Sequence, residues 1–266
     1  VVACGDAASR LVPGQRVAIE PGFPCRRCHP CRTGRYNLCP DIRFLATPPV
    51  DGALTKFLAV PEDFAHPVPD HLSDQAAALI EPLSVAVWAC QKGAVGLGDH
   101  VMITGAGPIG VLCALVAAAS GARPTVVEIS PERRSRARAL GLEVVTGPDD
   151  LGSSPHNFHQ LIECSGSPGA LTSALPAVAP DGQVVLVGMS PTNDLTLPLS
   201  VVQTRELTVT GTFRYANTYP TAIALAAAGR VPLDRLVDIT FPLEQVAEAL
   251  TATARNPSLL KAVVQP

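Results

Sequence analysis

Residues 99–110 decide the fold and read Asp-His-Val-Met-Ile-Thr-Gly-Ala-Gly-Pro-Ile-Gly. Asp99–Thr104 has the apolar content of a short strand, and the Gly-x-Gly-x-x-Gly pattern that follows it opens an apolar helix. In such a pattern Gly105 makes the tight turn, Gly107 lets the backbone approach a pyrophosphate, and Gly110 lets the helix pack closely on the strand. A pyrophosphate is favoured there by the free N–H groups at the helix N-terminus. The stretch therefore predicts a dinucleotide-binding strand–helix unit.

The strand that follows this motif, the second of the unit, supplies the acid that dinucleotide-binding units use. Thr125–Glu128 ends in a carboxylate that is placed to accept hydrogen bonds from both adenosine ribose hydroxyls and to repel the 2′-phosphate of NADP. Glu128 therefore favours NAD. Arg133 could hold a phosphate, but we expect the carboxylate at the strand end to dominate. The alternatives are an ordinary tight turn for the glycines and a solvated strand-end charge for Glu128.

Strands and helices alternate along the middle of the chain, and this order predicts an α/β fold with a doubly wound parallel sheet, the Rossmann fold. The further predicted elements are a helix from Pro131 to Leu140, a strand over Gln160–Cys164, a helix over Ala170–Val178, a turn at Asp181-Gly182, and strands over Val184–Gly188 and Leu207–Gly211. A ligand would lie over the carboxyl ends of these strands, where Gly105, Glu128, Ser165 and Gly188 fall.

The flanking sequence has a different character. Residues 1–85 are proline-rich, with short apolar runs at Arg16–Ile19 and Thr55–Val60, which predict irregular β structure. The last fifty residues predict two helices and a final strand, over Tyr219–Ala228, Leu243–Arg255 and Lys261–Val264.

Four of the eight cysteines fall within fifteen residues, with the spacing C-x2-C-x2-C-x7-C. They are Cys25, Cys28, Cys31 and Cys39. Two residues between thiolates let a turning backbone aim both sulfurs at one tetrahedral zinc ion, and four sulfurs close its coordination sphere. The spacing therefore predicts a structural zinc, although His29 could replace one ligand. A two-disulfide knot and an iron–sulfur site are the alternatives, with the usual cluster spacings differing from this one.

Composition limits the class of protein. The chain has 266 residues, 47% of them apolar, and a formal net charge of −3, so no basic field favours nucleic acid or anionic lipid. The longest strongly apolar stretch, Val111–Ala119, is far short of the roughly 20 residues that span a bilayer. We expect a cytoplasmic protein without a nucleic-acid or membrane partner. Because the chain opens at Val1 without a methionine, we also expect N-terminal sequence to be missing.

Six further segments carry a family resemblance. They are Glu20-Pro-Gly22, Gly34-Arg-Tyr-Asn-Leu38, Ala46-Thr-Pro-Pro49, Leu79-Ile-Glu-Pro-Leu-Ser-Val85, Gly105-Ala-Gly-Pro-Ile-Gly110 and Phe213-Arg-Tyr-Ala-Asn-Thr-Tyr-Pro220. Together with the cysteine cluster, they make the chain resemble the zinc-dependent medium-chain dehydrogenases over essentially its whole length. The resemblance is strongest to the sorbitol (L-iditol) and related polyol dehydrogenases, for which the Phe-Arg-Tyr and Ala-Thr-Pro-Pro runs are more specific than the glycine motif.

The resemblance implies NAD- and zinc-dependent oxidation of a secondary alcohol in a polyol to a ketose. It places Glu81 beside the catalytic zinc as a catalytic residue. The implied substrate-binding residues are Phe44, Thr47, Glu81, Arg214 and Tyr215. The implied NAD contacts are Val85, Gly105, Gly107, Ile109, Gly110, Glu128, Arg133, Val187, Gly188, Met189, Thr212, Phe213 and Arg214. The alternatives are a helix-capping acid for Glu81, core packing for Phe44 and Tyr215, and a surface ion pair for Arg214.

The same resemblance implies a catalytic domain over residues 1–85 that carries the zinc lobe at 25–39, an NAD-binding domain over 86–214, and a return to the catalytic domain over 215–266. The family's zinc-binding Cys and its His-Glu pair precede the segment that matches Val1, so we expect this chain to lack most of the catalytic zinc site. A homo-oligomer, either a dimer or a tetramer, is implied as well. The alternatives are a family member that acts on threonine or a simple alcohol, and a non-catalytic NAD-binding zinc protein.

Overall fold

The computed structural model describes residues 1–147, 150, 158–192, 194, 196–256 and 258–265. The chain divides into two compact units. The discontinuous unit combines Val1–Ser84 with Phe213–Pro266, and the continuous unit is Val85–Thr212. In the described residues, no helix combines the length and the apolar character that crossing a membrane requires.

The elements follow in chain order. The first part of the chain contains β1 (Val17–Ile19), β2 (Gly22–Phe23), α1 (His29–Arg32), β3 (Arg43–Phe44), β4 (Ala65–Pro67), α2 (Asp74–Ala78) and α3 (Ile80–Lys92). The middle contains β5 (His100–Thr104), α4 (Pro108–Ala119), β6 (Arg123–Val127), α5 (Pro131–Ala139), β7 (Glu143–Val145), β8 (Phe158–Glu163), α6 (Pro168–Ala174), β9 (Val178–Leu186), α7 (Leu199–Thr204) and β10 (Thr208–Gly211). The last part contains α8 (Tyr219–Ala227), β11 (Val237–Pro242), α9 (Val246–Arg255) and β12 (Lys261–Gln265).

The continuous unit is built on a six-stranded sheet in the order β10-β9-β8-β5-β6-β7, in which every neighbouring pair is parallel. The strand order reverses between β8 and β5, which is the switch point where doubly wound sheets bind their ligands. The central strands are apolar on both faces, and Met102, Leu161 and Val184 are fully buried. The structure thus confirms the α/β fold with a doubly wound parallel sheet.

Local sequence signals explain why the helices begin where they do. Pro108 occupies the first turn of α4 and Gly107 is its N-cap, and Pro131 and Ser130 hold the same positions in α5. Proline fits these positions because an N–H in the first turn has no acceptor within the helix, so the N–H that proline lacks is not needed there. The Ser130 Oγ accepts a hydrogen bond from the Arg133 backbone N–H, as the predicted N-cap requires.

One predicted helix is too long. The segment expected to be helical over Ala170–Val178 forms α6 only to Ala174, then a short 3-10 turn, and Val178 already begins β9. Pro176 lacks the N–H that a continuing α-helix needs. The predicted turn at Asp181-Gly182 lies inside β9, where Asp181 has a φ of 63° and the pairing with β8 shifts register between Phe158 and Gln160. The turn residues therefore produce a bulge within one strand.

In its described residues, the discontinuous unit contains three two-stranded sheets. The pairs β1–β4 and β2–β3 are antiparallel, and β11–β12 is parallel. The predicted apolar run Thr55–Val60 is not a strand in the structure, and Phe57 within it is 72% exposed. The predicted C-terminal helices and final strand are present, except that Leu243–Gln245 is a 3-10 turn leading into α9.

Candidate active site and metal centre

The four predicted zinc ligands lie together in the discontinuous unit. The Sγ atoms of Cys25, Cys28, Cys31 and Cys39 are all within 4.8 Å of one another, and the Cys28–Cys31 distance is 3.3 Å. A zinc ion with four thiolates holds its sulfurs about 3.8 Å apart, so a small adjustment would close the tetrahedron. All four are free cysteines, and the exposed His29 is outside the cluster. The residues fit a structural zinc.

The thiols of this cluster differ in acidity. The backbone N–H groups of Arg27 and Cys28 lower the pKa of the Cys25 thiol to about 6. Burial raises the pKa of Cys31 to about 12 and also raises that of Cys39. All four can be thiolates together only if a cation compensates their charge, which is what a bound zinc supplies.

The glycine-rich loop between β5 and α4 has the backbone that the sequence predicts. Gly105 has a φ of +90°, and a Cβ on Gly110 would come within 1.9 Å of the Gly105 carbonyl oxygen. These two positions exclude any side chain. A Cβ on Gly107 would meet no atom within 4 Å, so open space lies beside the N-terminus of α4. The loop therefore fits the pyrophosphate of a dinucleotide.

Glu128 follows β6 at the carboxyl end of the sheet. It is only 6% exposed, so it is not a solvated surface charge. One carboxylate oxygen accepts a hydrogen bond from the Ala106 N–H at 2.7 Å, and the other accepts one from the Ser130 N–H at 2.8 Å. Each oxygen keeps a second acceptor position. The carboxylate braces the glycine loop and can still accept from a ribose hydroxyl.

A buried carboxylate that the sequence analysis missed also lies at this edge. Glu163 is the last residue of β8 and is 3% exposed. Its Oε1 accepts hydrogen bonds from the Ser165 N–H at 2.8 Å, the Gly166 N–H at 3.0 Å and the Thr104 hydroxyl at 3.2 Å, and also from the Ser165 hydroxyl. A Cβ on Gly188 would lie 2.8 Å from Oε2. The only sequence signal is an acid directly before Cys-Ser-Gly at a strand end.

The other predicted cofactor residues of the continuous unit lie directly after strands or within helices. Val187 and Gly188 directly follow β9, and both of their N–H groups donate to the Glu163 carbonyl at 2.9 Å. Met189 is 90% exposed, whereas Ile109 and Arg133 are half-buried in the first turns of their helices. The remaining two positions, both half-buried, are Val85 in α3 and Thr212 directly after β10.

In the discontinuous unit, the guanidinium of Arg214 lies between two aromatic rings. Its central carbon is 4.0 Å from the ring centroid of Phe44 and 4.8 Å from that of Phe213. The Nη1 atom is buried and has no hydrogen-bond partner, and burial lowers the pKa of the group. Among the residues that the structure describes, Arg214 makes no surface ion pair. A buried donor without a partner is costly, so Nη1 is suited to donate to a polar ligand.

Glu81 and Tyr215 form a second pair. The Tyr215 hydroxyl donates to Glu81 Oε1 at 2.9 Å. Burial raises the pKa of Glu81, and it also raises that of Tyr215. The Tyr215 ring is 3% exposed, so it packs in the core as well as binding Glu81. Thr47 is exposed, and its described hydrogen bonds are backbone ones to Phe44 and Val50.

Glu81 does not lie in a complete metal site. Within the part of the chain that the structure describes, the four-cysteine cluster is the only group of three or more His, Cys, Asp or Glu side chains close enough to hold a metal ion. Glu81 alone does not fit a catalytic zinc.

A Rossmann sheet with its phosphate-binding loop, together with a four-cysteine metal lobe, defines a zinc-containing dehydrogenase. Residues 1–70 match the alcohol dehydrogenase GroES-like domain, and residues 108–228 match the zinc-binding dehydrogenase domain. The chain belongs to the zinc-dependent medium-chain dehydrogenases, enzymes that oxidise alcohols and polyols.

Two curated relatives are sorbitol dehydrogenases. The protein from Rattus norvegicus is 39% identical over 279 residues, which cover 100% of this chain and 77% of that protein. The protein from Bacillus subtilis (strain 168) is 37% identical over 281 residues, which cover 100% of this chain and 78% of that protein.

Two similar solved structures contain a cofactor. An alcohol dehydrogenase from E. coli CFT073 in complex with NADH has a TM-score of 0.90 and 25% identity, covering 99% of this chain and 80% of that one. A putative zinc-binding dehydrogenase from Sinorhizobium meliloti 1021 bound to NADP has a TM-score of 0.90 and 26% identity, covering 100% of this chain and 81% of that one.

Proposed function

We propose that the protein catalyses the NAD-dependent oxidation of a secondary hydroxyl of a polyol to a ketose, with substrates of the sorbitol, xylitol or iditol type. The observation that carries the proposal is Arg214, whose guanidinium lies between two rings with Nη1 buried and unpaired. Its donors form a rigid fork that suits neighbouring hydroxyls of an extended sugar alcohol. The similarity to sorbitol dehydrogenases supports the same substrate class.

Glu81 is the residue that we assign to proton handling. Tyr215 holds its Oε1, which leaves Oε2 to accept a hydrogen bond from a substrate hydroxyl. A carboxyl whose pKa is raised by burial can take up a proton close to the pH at which it works. Tyr215 fixes the carboxylate orientation, and its oxygen can accept a further hydrogen bond.

NAD is the cofactor that the continuous unit favours. The Glu128 carboxylate lies at the end of β6, where it repels a 2′-phosphate and accepts from ribose hydroxyls. When bound, NAD supplies the hydride acceptor, and the fold supplies its orientation. The glycine loop would hold the pyrophosphate through the free N–H groups at the start of α4.

The test is a panel of substrates and cofactors, measured on the complete polypeptide that the gene encodes. We expect reduction of NAD with sorbitol or xylitol, a much lower rate with NADP, and loss of activity on treatment with a chelator. Activity with NADP alone, or activity that resists chelation, would contradict the proposal. A clear preference for threonine or a short alcohol would favour the alternative dehydrogenases.

A zinc count addresses the non-catalytic alternative. Two zinc ions per chain in the complete polypeptide would support catalysis, whereas one zinc with intact NAD binding would support a non-catalytic protein. We further propose a cytoplasmic homo-oligomer, a dimer or tetramer, that pairs through an edge of the cofactor-domain sheet. Sedimentation analysis tests this assembly, and a purely monomeric protein would contradict it.

A further inference from the structure

The loop between the last two zinc ligands hydrogen-bonds the segment that carries Arg214. This loop, called here the lobe loop, is Gly34–Leu38, between Cys31 and Cys39. The segment that it contacts, called here the arginine segment, is Phe213–Asn217. The two are far apart in the sequence, yet both belong to the discontinuous unit.

Hydrogen bonds from Asn37 and Asn217 join the lobe loop to the arginine segment. The Asn37 side-chain amide donates to the Phe213 carbonyl at 2.8 Å. The Asn217 backbone N–H donates to the Tyr36 hydroxyl oxygen at 2.7 Å, and the Asn217 side-chain amide donates to the Gly34 carbonyl at 2.9 Å. The arginine segment is therefore held at both of its ends.

The arginine segment needs such support because its backbone is strained. Arg214 has a φ of 54° and Asn217 has a φ of 60°, a region that residues other than glycine adopt at a cost. Such conformations persist when the surrounding structure fixes them. The bond to Phe213 fixes the residue before strained Arg214, and the two bonds from Asn217 fix the other strained position, so together they hold Arg214 against the ring of Phe44.

Tyr36 is itself firmly anchored. Its hydroxyl donates to Glu20 Oε1 at 2.7 Å, and the other oxygen of this carboxylate lies 3.0 Å from His66 Nε2. Glu20 is 3% exposed. The Tyr36 ring also makes an edge contact with Phe64, with centroids 5.8 Å apart. The contacts with Glu20 and Phe64 therefore fix the position of the Tyr36 hydroxyl oxygen, which accepts the hydrogen bond from Asn217.

We propose that Tyr36 and Asn37 are positioning residues for the substrate, and that zinc at the cysteine cluster supports them by ordering the lobe loop. The Cys39 N–H donates to the Tyr36 carbonyl at 3.0 Å, so the ligand and the loop share one turn. The structural metal then influences substrate affinity through the arginine segment. The proposal rests on the proposed role of Arg214 in polyol binding.

The first test is hydrogen exchange, which needs no catalysis. In Tyr36→Phe the Asn217 amide loses its acceptor while the ring contact with Phe64 remains. We expect exchange of the Asn217 amide to accelerate about tenfold, with the peptide over Val101–Thr104 unchanged. Thr33→Ala is the matched control, because the Thr33 hydroxyl donates to the nearby carbonyls of His29 and Pro30 and, in the described residues, to no atom of the arginine segment. Unchanged exchange at Asn217 would overturn the proposal.

The metal is tested by the same readout. Removal of zinc with a chelator should accelerate exchange in both the lobe loop and the arginine segment, and added zinc should restore it. Exchange that accelerates only in the lobe loop would overturn the link between the metal and the arginine segment.

The second test is steady-state kinetics. For Tyr36→Phe and Asn37→Ala we expect the KM for sorbitol to rise about tenfold, with a much smaller change in the KM for NAD. An equal rise in both constants, or the same rise in Thr33→Ala, would show general destabilisation and overturn the proposal. If the wild-type enzyme oxidises no polyol, the proposed function fails, and the exchange data alone decide whether the lobe loop holds the arginine segment.

Discussion

Replacing Glu163 by glutamine tests the buried carboxylate at the carboxyl edge of the sheet. The two side chains have the same shape, but the amide presents an N–H₂ group where the carboxylate has an acceptor. Oε1 accepts from the N–H groups of Ser165 and Gly166 and from the Thr104 hydroxyl, and Oε2 also accepts from Gly166 at 3.2 Å. In the glutamine variant, an amide oxygen at the Oε1 position still accepts from these donors but carries no charge, and the N–H₂ group at the Oε2 position then faces the Gly166 N–H.

The magnitude follows from those bonds. Hydrogen bonds to a charged group contribute about 1.5–3 kcal/mol each and neutral ones about 0.5–1.5 kcal/mol, so we expect loss of the charge to lower the free energy of unfolding by about 2 kcal/mol. For a chain of this size, that corresponds to a melting temperature lower by about 4–8 °C. The Ser165-Gly166 turn lies against Gly105 and Gly188, so the cofactor edge should shift, and we expect NADH affinity to fall about tenfold.

The assay is NADH binding by fluorescence titration, combined with thermal unfolding. Glu143→Gln is the matched control, because Glu143 is an exposed carboxylate at the start of the edge strand β7. The control should leave both quantities unchanged. Wild-type NADH affinity and an unchanged melting temperature in Glu163→Gln would refute the reasoning.

Three further perturbations address the glycine loop, Glu81 and the metal lobe. Gly110→Ala places a methyl group 1.9 Å from the Gly105 carbonyl oxygen, so it should lower the melting temperature strongly, whereas Gly107→Ala should keep the fold and weaken only NADH binding. A lowered melting temperature in Gly107→Ala would contradict this. Burial raises the pKa of Glu81, so the native state keeps the carboxyl proton to a higher pH than the unfolded state does. The stability that this proton contributes is complete below the unfolded pKa of about 4.3 and is lost as pH rises through the folded pKa. Urea unfolding of wild type and Glu81→Gln across that range should differ in pH dependence, and parallel curves would contradict the assignment. Cys39→Ser should lower the zinc content by one ion per chain and destabilise the lobe, and an unchanged zinc content would exclude Cys39 as a ligand.

Much of the fold could be predicted from the sequence because its signals are local. The Gly-x-Gly-x-x-Gly pattern after an apolar strand fixes a turn, a helix start and a close packing contact within twelve residues, 99–110. The cysteine spacing has the same local character, and the four sulfurs are together in the structure. Each signal specifies its geometry without help from distant residues.

Two predictions of local structure were wrong because strand pairing, which is a tertiary contact, decides the structure there. At Asp181-Gly182 the turn chemistry was correctly recognised, but parallel pairing with β8 continues past the turn and turns it into a bulge. The run Thr55–Val60 has strand-like composition but no strand pairs with it in the described residues. Pairing partners decide both cases, and local pattern does not reveal them.

The sequence predicts which residues belong to the candidate site but not the contacts between them. The resemblance identified Arg214, Tyr215 and Glu81, but not that Tyr215 binds Glu81 across 134 positions in the sequence. The bonds from Asn37 and Tyr36 to the arginine segment span 176 and 181 positions. No local pattern encodes such contacts, and they become visible only when the chain is folded.

The most direct test of polyol oxidation compares Arg214→Leu with the wild-type enzyme on two substrates. The ratio of kcat/KM for sorbitol to kcat/KM for a short secondary alcohol is measured with NAD. Because Arg214 offers a charged donor to hydroxyls that the short alcohol lacks, we expect the ratio to fall at least about tenfold in the variant. A ratio that stays unchanged, with both substrates losing activity equally, would contradict a polyol-binding role for Arg214.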